Sequence, residues 1–525
     1  MKLYRAFATV GGMTMASRVL GFVRDILIAA MLGTGPIADA FFVAFRLPNL
    51  FRRLFGEGAF NAAFVPIFAK RLEGEGARSA ERFANEALSV LFAALVVFTV
   101  AIEIVMPLFM MVFAYGYRDT PEKFDLAVML TRIMFPYLLC MSLVALLSGV
   151  LNSLRKFALA SAAPILLNVV LIAVMLVATR LGIGNSVTAG VVLAGGVMLS
   201  GVVQLGVLAI AARSQGMRLM PRWPRMTGDV GRLFRLAVPG IIASGIIQFN
   251  LMIGTMIASM QDGAVSFLYY ADRIYQLPLG VVGVAIGVVL LPDIARHLRA
   301  GDMSAVSDSQ NRAAEFALLL TLPAAVAIAV SAGPIVKVLF ERGAFSPDDT
   351  VATAGALSLF AVGLPAFVLI KVLSPAFFAR EDTKTPMYVA LGDMLVNVVV
   401  SVALFWYFSR IGIRPHYGIA IATSAAGWVN AILLFVLLRR RGHFELDARL
   451  RTAVPLIALA SAVMGAALWF LGGFLAPHFE QASGNLVQAA ALVGLVAVGM
   501  VVFGVVCEMT GAARLAQIVG GLKRR

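Results

Sequence analysis

The sequence predicts an all-α polytopic membrane protein, with about fourteen transmembrane helices arranged as two pseudo-symmetric six-helix lobes plus two C-terminal helices. Three observations predict it. First, the 525 residues are 61% hydrophobic and only 14% charged, with a mean hydropathy of +0.92, whereas soluble domains hold about a quarter charged residues. Second, apolar runs of about 20 residues, long enough to cross a bilayer core, recur along the whole chain. Third, short motifs recur at a nearly constant offset.

Taken in order, the apolar runs fall at 6–32, 37–67, 85–113, 125–153, 158–180, 187–212 and 233–260, then at 265–295, 313–333, 350–378, 385–408, 416–438, 452–474 and 486–508. Pro48, Pro66, Pro136, Pro239, Pro278 and Pro365 interrupt several of them and predict local breaks. The first run carries Arg18, Arg24 and Asp25 and lacks an A-x-A exit, so it reads as a span rather than a cleaved signal. With the N-terminus placed in the cytoplasm, 28 of the 43 lysines and arginines fall in cytoplasmic loops and termini, six in loops on the opposite side, and nine in or at the ends of spans. That bias predicts both termini inside, in a bacterial cytoplasmic membrane. The net charge of +15 is then mostly topology, attracted to anionic lipid headgroups, and nucleic acid is not an expected partner. Cys140 and Cys507 both lie in apolar runs, which predicts neither a disulfide framework nor a thiolate metal site.

The repeat is read from several matches. PIFAKRLEGEG at Pro66 returns as PDIARHLRAGD at Pro292, an offset of 226. The segment from Ala38 answers that from Ala264, Pro107 answers Pro334, Pro136 answers Pro365, and Asn168-Val-Val answers Asn397-Val-Val. An even number of helices per unit gives parallel repeats related by an axis along the membrane normal, with a site near mid-depth. The expected division is an N-lobe (1–215), a basic cytoplasmic linker (216–232), a C-lobe (233–441), and two further helices with a basic tail (442–525).

Charge inside the spans carries the functional signal, because a guanidinium at bilayer depth costs several kcal/mol unless it meets a wet cavity or a counter-ion. Thr14, Arg18, Gly21 and Asp25 share one stripe of the first helix, with Ser17 and Arg24 along its edge. On the second, Asp39, Arg46, Arg53 and Glu57 align and Arg52 sits about 100° away; Pro48 leaves open whether Arg52 or Arg53 points inward. The eighth carries Asp272 and Arg273 beside Tyr269, Tyr270 and Gln276. These three helices hold six cations (Arg18, Arg24, Arg46, Arg52, Arg53, Arg273) against four anions (Asp25, Asp39, Glu57, Asp272). A surplus of two suits a guest with about two negative charges, and arginine's fork matches phosphate oxygens. The competing reading is internal pairing that locks helices together. Asn250, Asp393, Asn397 and Thr423 form a candidate cation site through their oxygens; helix capping and interhelical bonding are the alternative. No P-loop, G-x-S-x-G or Cys/His cluster is present, so neither an enzyme nor a bound cofactor or metal is expected.

The segments MTMASRVLGFVRDILIAAMLG, DAFFVAFRLPNLFRRLFGEGAFNAAFVPIFA and YYADRIYQLPLGV resemble the MurJ (MviN) lipid II flippases of the MOP exporter superfamily, and the likeness runs through the whole chain. The resemblance implies two lobes alternating between inward-open and outward-open states. It implies lipid II, the undecaprenyl-pyrophosphate-linked peptidoglycan precursor, as substrate, with membrane lipids and the cell-wall synthesis machinery as its surroundings. It places the substrate-binding arginines at Arg18, Arg24, Arg52 and Arg273, with Asp25, Asp39 and Glu57 as charged companions, and so selects Arg52 over Arg53. The last two helices would hold the polyprenyl tail. One branch of the family has a Na⁺ site that Asn250, Asp393, Asn397 and Thr423 match only in part, which leaves Na⁺ or H⁺ coupling open. The alternatives are a flippase for another polyprenyl-pyrophosphate glycan and a cation-coupled MOP exporter, whose cavity would be acidic rather than basic.

Overall fold

A computed structural model describes residues 2–55 and 59–512, and all the regular structure among them is helical. The helices are α1 (Lys2–Leu32), α2 (Pro36–Phe55), α3 (Ala59–Gly74), α4 (Ala77–Phe113), α5 (Pro121–Met134), α6 (Tyr137–Ser153), α7 (Phe157–Ser161), α8 (Ala163–Arg180) and α9 (Val187–Ser214). They continue as α10 (Gly228–Ala258), α11 (Ala264–Arg299), α12 (Met303–Phe340), α13 (Pro347–Phe378), α14 (Lys384–Ile411), α15 (His416–Arg440), α16 (Ala448–Leu475) and α17 (Asn485–Thr510). Each of the fourteen apolar runs is occupied by helix, and among the described residues ten spans are long and apolar enough to cross a membrane.

Two runs are divided in two, between α5 and α6 and between α7 and α8. Proline explains both breaks. Pro136 precedes α6 and Pro164 sits in the first turn of α8, where a missing N–H is tolerated. In α12, Ser331 leaves the helical region (φ −104, ψ 16) just ahead of Pro334, the position at which a proline ring crowds the preceding turn. The start of α13 is closed by a capping box, in which the Ser346 side chain accepts from Asp349 N and the Asp349 carboxylate accepts from Ser346 N.

Contacts divide the chain into two units, Met1–Ser266 with Arg342–Phe345, and Phe267–Glu341 with Ser346–Arg525. In the first, α10 packs on α2, α3 and α4. Phe60, Phe64 and Phe68 form an i, i+4, i+8 ladder along α3, with neighbouring rings stacked at 5.7 and 5.6 Å and Phe83 of α4 stacked on Phe64 at 5.5 Å. Residues 342–345 close on the end of α1, where Ala344 N donates to Ala30 O at 2.9 Å. Gly33 (φ +60) and Gly343 (φ +61) make that approach possible, because a Cβ would fall 2.3 Å from Ala344 O on the first and 2.2 Å from Ala30 O on the second.

In the second unit, α13 and α15 pack through small residues. A Cβ on Gly363 would lie 2.9 Å from Ser424 Cα, and one on Gly427 would lie 2.9 Å from the Phe367 ring. Glycine lets backbones approach where there is no hydrophobic drive between lipid-facing helices. The last two helices, which fall outside the sequence repeat, pack on α12. There α16 does what α10 does on α4, so the final pair stands where a third repeat would begin.

The repeat itself is visible in a duplicated helix exit. After α9, Gly216 (φ +84) closes a Schellman turn in which Met217 N donates to Ala212 O at 3.1 Å and Gly216 N to Arg213 O at 3.0 Å. After α15, Gly442 (φ +67) does the same, His443 N donating to Leu438 O at 2.9 Å and Gly442 N to Arg439 O at 3.0 Å. Next in each unit comes one asparagine. Asn85 of α4 donates to Arg218 O at 3.3 Å and accepts from Met220 N at 2.8 Å. Asn311 of α12 donates to Glu445 O at 2.8 Å and accepts from Asp447 N at 3.2 Å.

Candidate functional site

Arg24 sits on the edge of the polar stripe of α1 and is buried. Its Nε and Nη2 donate to Asp25 Oδ1 at 3.0 and 2.8 Å, its Nη1 donates to Asn168 Oδ1 at 2.9 Å, and its Cζ lies 5.8 Å from the centre of the Phe45 ring. Asn168 of α8 is held in turn by donating to Ser17 O at 2.9 Å. Gly21 faces that amide, and a Cβ there would meet Asn168 Nδ2 at an ordinary contact distance of 3.5 Å. The guanidinium is therefore fixed in orientation by α1 and α8 together. Arg18, further along α1, is exposed.

Asp39, in the first turn of α2, is fully buried and accepts four hydrogen bonds. Lys123 Nζ and Gly263 N reach Oδ2, both at 2.8 Å, while Ser266 N and Oγ reach Oδ1 at 3.0 and 2.7 Å. It caps the start of α11 from another helix, a site where a carboxylate is favoured. Lys123 also donates to Asp262 Oδ1 at 2.7 Å and lies 4.3 Å from the Tyr117 ring centre. Placed by its flanking residues in a loop facing solvent, Lys123 is instead 3% exposed in the first turn of α5, because a carboxylate far away in sequence meets it there. Arg46, expected to align with Asp39, donates to Thr255 Oγ1 at 2.5 Å.

Within the second unit, Arg273 of α11 is half-buried, its Cζ stacked 4.6 Å from the Tyr269 ring centre. Asp272 accepts from Gln276, one turn along. Arg52 belongs to α2, but its side chain, with that of Asn250, lies outside the described residues, as does Glu57. Of the candidate cation ligands, Asp393 accepts from Asn430 Nδ2 at 3.1 Å, Asn397 pairs with Ser401 Oγ at 3.4 Å, and the Thr423 hydroxyl donates back to Ile419 O at 2.8 Å. Among the described residues no cluster of three or more His, Cys, Asp or Glu side chains has the spacing of a metal site.

A family model described as "Lipid II flippase MurJ" matches residues 28–486. The chain belongs to the MurJ family. A relative in Rhizobium meliloti (strain 1021), named probable lipid II flippase MurJ, is 49% identical over 525 residues, covering 100% of this chain and 97% of the relative. The lipid II flippase MurJ of Burkholderia cenocepacia is 36% identical over 471 residues, with coverages of 89% and 90%. Among solved structures, a lipid II flippase MurJ in an inward closed conformation superposes with a TM-score of 0.77 at 22% identity, covering 95% of this chain and 98% of that one. An inward-facing MATE transporter of the MOP superfamily gives 0.66 at 15% identity, with coverages of 81% and 94%. The all-helical fold expected from the apolar runs, and the MOP fold implied by the resemblance, are thus the fold observed.

For this MurJ-family chain, sequence reasoning missed three partners of the charged residues: Lys123 for Asp39, Asn168 for Arg24 and Asn430 for Asp393. The signal for Asn168 was present, as a lone amide in the apolar run PILLNVVL, since polar groups at that depth need a partner. Lys123 gave none, because it falls in the loop before the apolar run at 125–153.

Proposed function

We propose that this protein is a flippase that carries lipid II from the inner to the outer leaflet of the bacterial cytoplasmic membrane by alternating access. The observation that carries the reading is the match, over essentially the full chain at 49% identity, to a protein named for that activity. Arg18, Arg24, Arg52 and Arg273 receive the pyrophosphate. Arg24 is suited to it because its orientation is already fixed by Asp25 and Asn168, so little rotamer entropy remains to be lost on binding. Arg273 is suited to it because stacking on Tyr269 presents a planar fork, which matches phosphate oxygens.

The 28-to-6 bias of loop cations supports cytoplasmic termini. With the cell interior negative, outward movement of the anionic headgroup gains about 2.3 kcal/mol per charge per 100 mV. The polyprenyl tail stays in lipid along α16 and α17 while the headgroup crosses.

The test is outer-leaflet exposure of lipid II in cells depleted of their own flippase and supplied with the parent protein or with Arg273→Ala at matched membrane levels. Exposure restored by the parent and lost in the variant supports both substrate and site. A correctly inserted parent that restores nothing overturns the lipid II assignment, and another polyprenyl-linked glycan takes its place. Equal rescue by both removes Arg273 from the binding set.

A further inference from the structure

The duplicated exit ends differently in the two units. In the second, the residue after the asparagine-clamped Asp447 begins α16, with Asp447 as its N-cap. In the first, residues 221–227, Pro-Arg-Trp-Pro-Arg-Met-Thr, intervene between clamped Met220 and α10. They continue a strap that lies along α4. Arg218 N, Met220 N and Arg222 N donate to Glu81 Oε1, Asn85 Oδ1 and Ser89 Oγ at 3.3, 2.8 and 2.8 Å.

Two extended residues advance about 6.6 Å and four helical residues about 6.0 Å, so alternate strap amides find every fourth residue of the helix. Thr227 Oγ1 then donates to Glu86 Oε2 at 2.9 Å. The strap is a fixed surface.

That surface borders a cavity of about 560 Å³ lined by Arg82, Asn85, Glu86, Ser89, Arg222, Trp223 and Arg225. Among the described residues no carboxylate lies within salt-bridge reach of Arg82, Arg222 or Arg225, and Glu86 is the one acid in the lining. In the corresponding region of the second unit three arginines are paired, Arg312 with Glu315 and Asp447, Arg449 with Glu315 and Arg441 with Asp382. The cavity also lies at a defined depth. The uncharged run of α4 begins at Ala87, and Val97, Val100, Ile104 and Leu108 beyond it are exposed, which puts residues 82–89 at headgroup level. On the strap, Met220, Trp223 and Met226 recur every third residue and are 61%, 85% and 68% exposed. Tryptophan favours that interface.

We infer that the strap and α4 form a binding site for an anionic phospholipid, with the headgroup phosphate held by Arg82, Arg222 and Arg225, and Met220, Trp223 and Met226 against the glycerol and upper acyl chain. It is separate from the transported substrate's arginines. With both termini in the cytoplasm, it faces the cytoplasmic leaflet.

The test reads tryptophan fluorescence of the full chain in neutral detergent micelles doped with phosphatidylglycerol or phosphatidylcholine carrying brominated acyl chains. The Trp223 signal is the part lost in Trp223→Phe. In the parent that part should reach half-quenching at a mole fraction of brominated phosphatidylglycerol at least threefold lower than of brominated phosphatidylcholine. The paired change Arg222→Gln/Arg225→Gln should abolish the preference, whereas Arg439→Gln/Arg440→Gln, the same loss of charge at the end of α15, should leave it.

Equal quenching by the two lipids in the parent overturns the site, and this arm decides even where a variant fails to fold. A preference that survives Arg222→Gln/Arg225→Gln, or falls equally in both paired variants, overturns it as well. Loss of the preference to millimolar glycerol 3-phosphate or inorganic phosphate at constant ionic strength assigns the cavity to a soluble phosphate and overturns the lipid reading.

Discussion

Replacing Lys123 by methionine should destabilise the protein far more than loss of a surface lysine does. Its ammonium and the Asp39 carboxylate are 2.8 Å apart, with side chains 2% and 0% exposed. At that distance and an effective dielectric of about 20, their attraction is about 6 kcal/mol, which offsets the desolvation of both ions. Lys123→Met removes the opposite charge but leaves Asp39 desolvated with only the hydrogen bonds from Gly263 and Ser266, so the expected loss is about 3–5 kcal/mol. The Asp262 contact adds little, because that side chain is 77% exposed and open pairs are worth about 0–1 kcal/mol.

Asp39→Asn leaves Lys123 buried opposite an amide and should cost a similar amount. The double variant should cost less than the sum of the two by about 2 kcal/mol, since the second change removes a group already stranded by the first. Cys140 and Cys507 are the chain's two cysteines, and both are buried. A thiol-reactive dye therefore reports unfolding of the full chain as dodecyl sulfate is titrated into neutral micelles. A Lys123→Met loss within about 0.5 kcal/mol of that for exposed Lys156→Met, the usual scatter of surface changes, refutes the reasoning. So does strict additivity in the double variant.

Three further outcomes rest on the geometry. Asn311→Leu should cost about 1–3 kcal/mol in the same dye assay, because Glu445 O and Asp447 N lose their shared partner; an unchanged unfolding midpoint contradicts it. Gly363→Ala should cost about 1–3 kcal/mol by overpacking α13 against Ser424, and a neutral effect would show that the two helices separate freely. Asp382 accepts from the Thr385 hydroxyl and amide and from Arg441, which hold its carboxyl well below the usual carboxylate range. A lowered folded-state value means that this stabilisation is complete above the unfolded value of about 4 and is lost as pH falls toward the folded value. Asp382→Asn should therefore unfold more easily than the parent at pH 7, with the gap narrowing below about pH 4; a gap constant from pH 7 to pH 3 counts against it.

Much of the fold was legible because the bilayer imposes it. Each apolar run had to be helical to satisfy its backbone, and among the described residues helix occupies each of them. The repeat was legible through prolines and through the matching Asn168-Val-Val and Asn397-Val-Val, which keep nearly the same offset. The pairing inside the candidate site was less legible. A helical wheel places Arg24 beside Asp25, but Asn168 is 144 residues away, and the partner that buries Lys123 is 84 residues away. Periodicity describes one helix at a time, whereas the fate of a buried charge is set by whichever helix packs opposite. The exit anchors show the same limit from the other side, since Asn85 and Asn311 carry matching bonds while Glu86 and Ser89 are replaced by Arg312 and Glu315.

The paired asparagine anchors also work as a socket. Each ties down the outgoing chain by one carbonyl and one amide of backbone, contacts that any downstream sequence can supply. The segment beyond each anchor is therefore free to differ in length, and it does: helix at once after Asp447, seven residues of strap after Met220. A bundle terminated this way can be extended by joining new segments at the socket without repacking the helices behind it. The strap and the final helix pair read as two different attachments to one duplicated fitting.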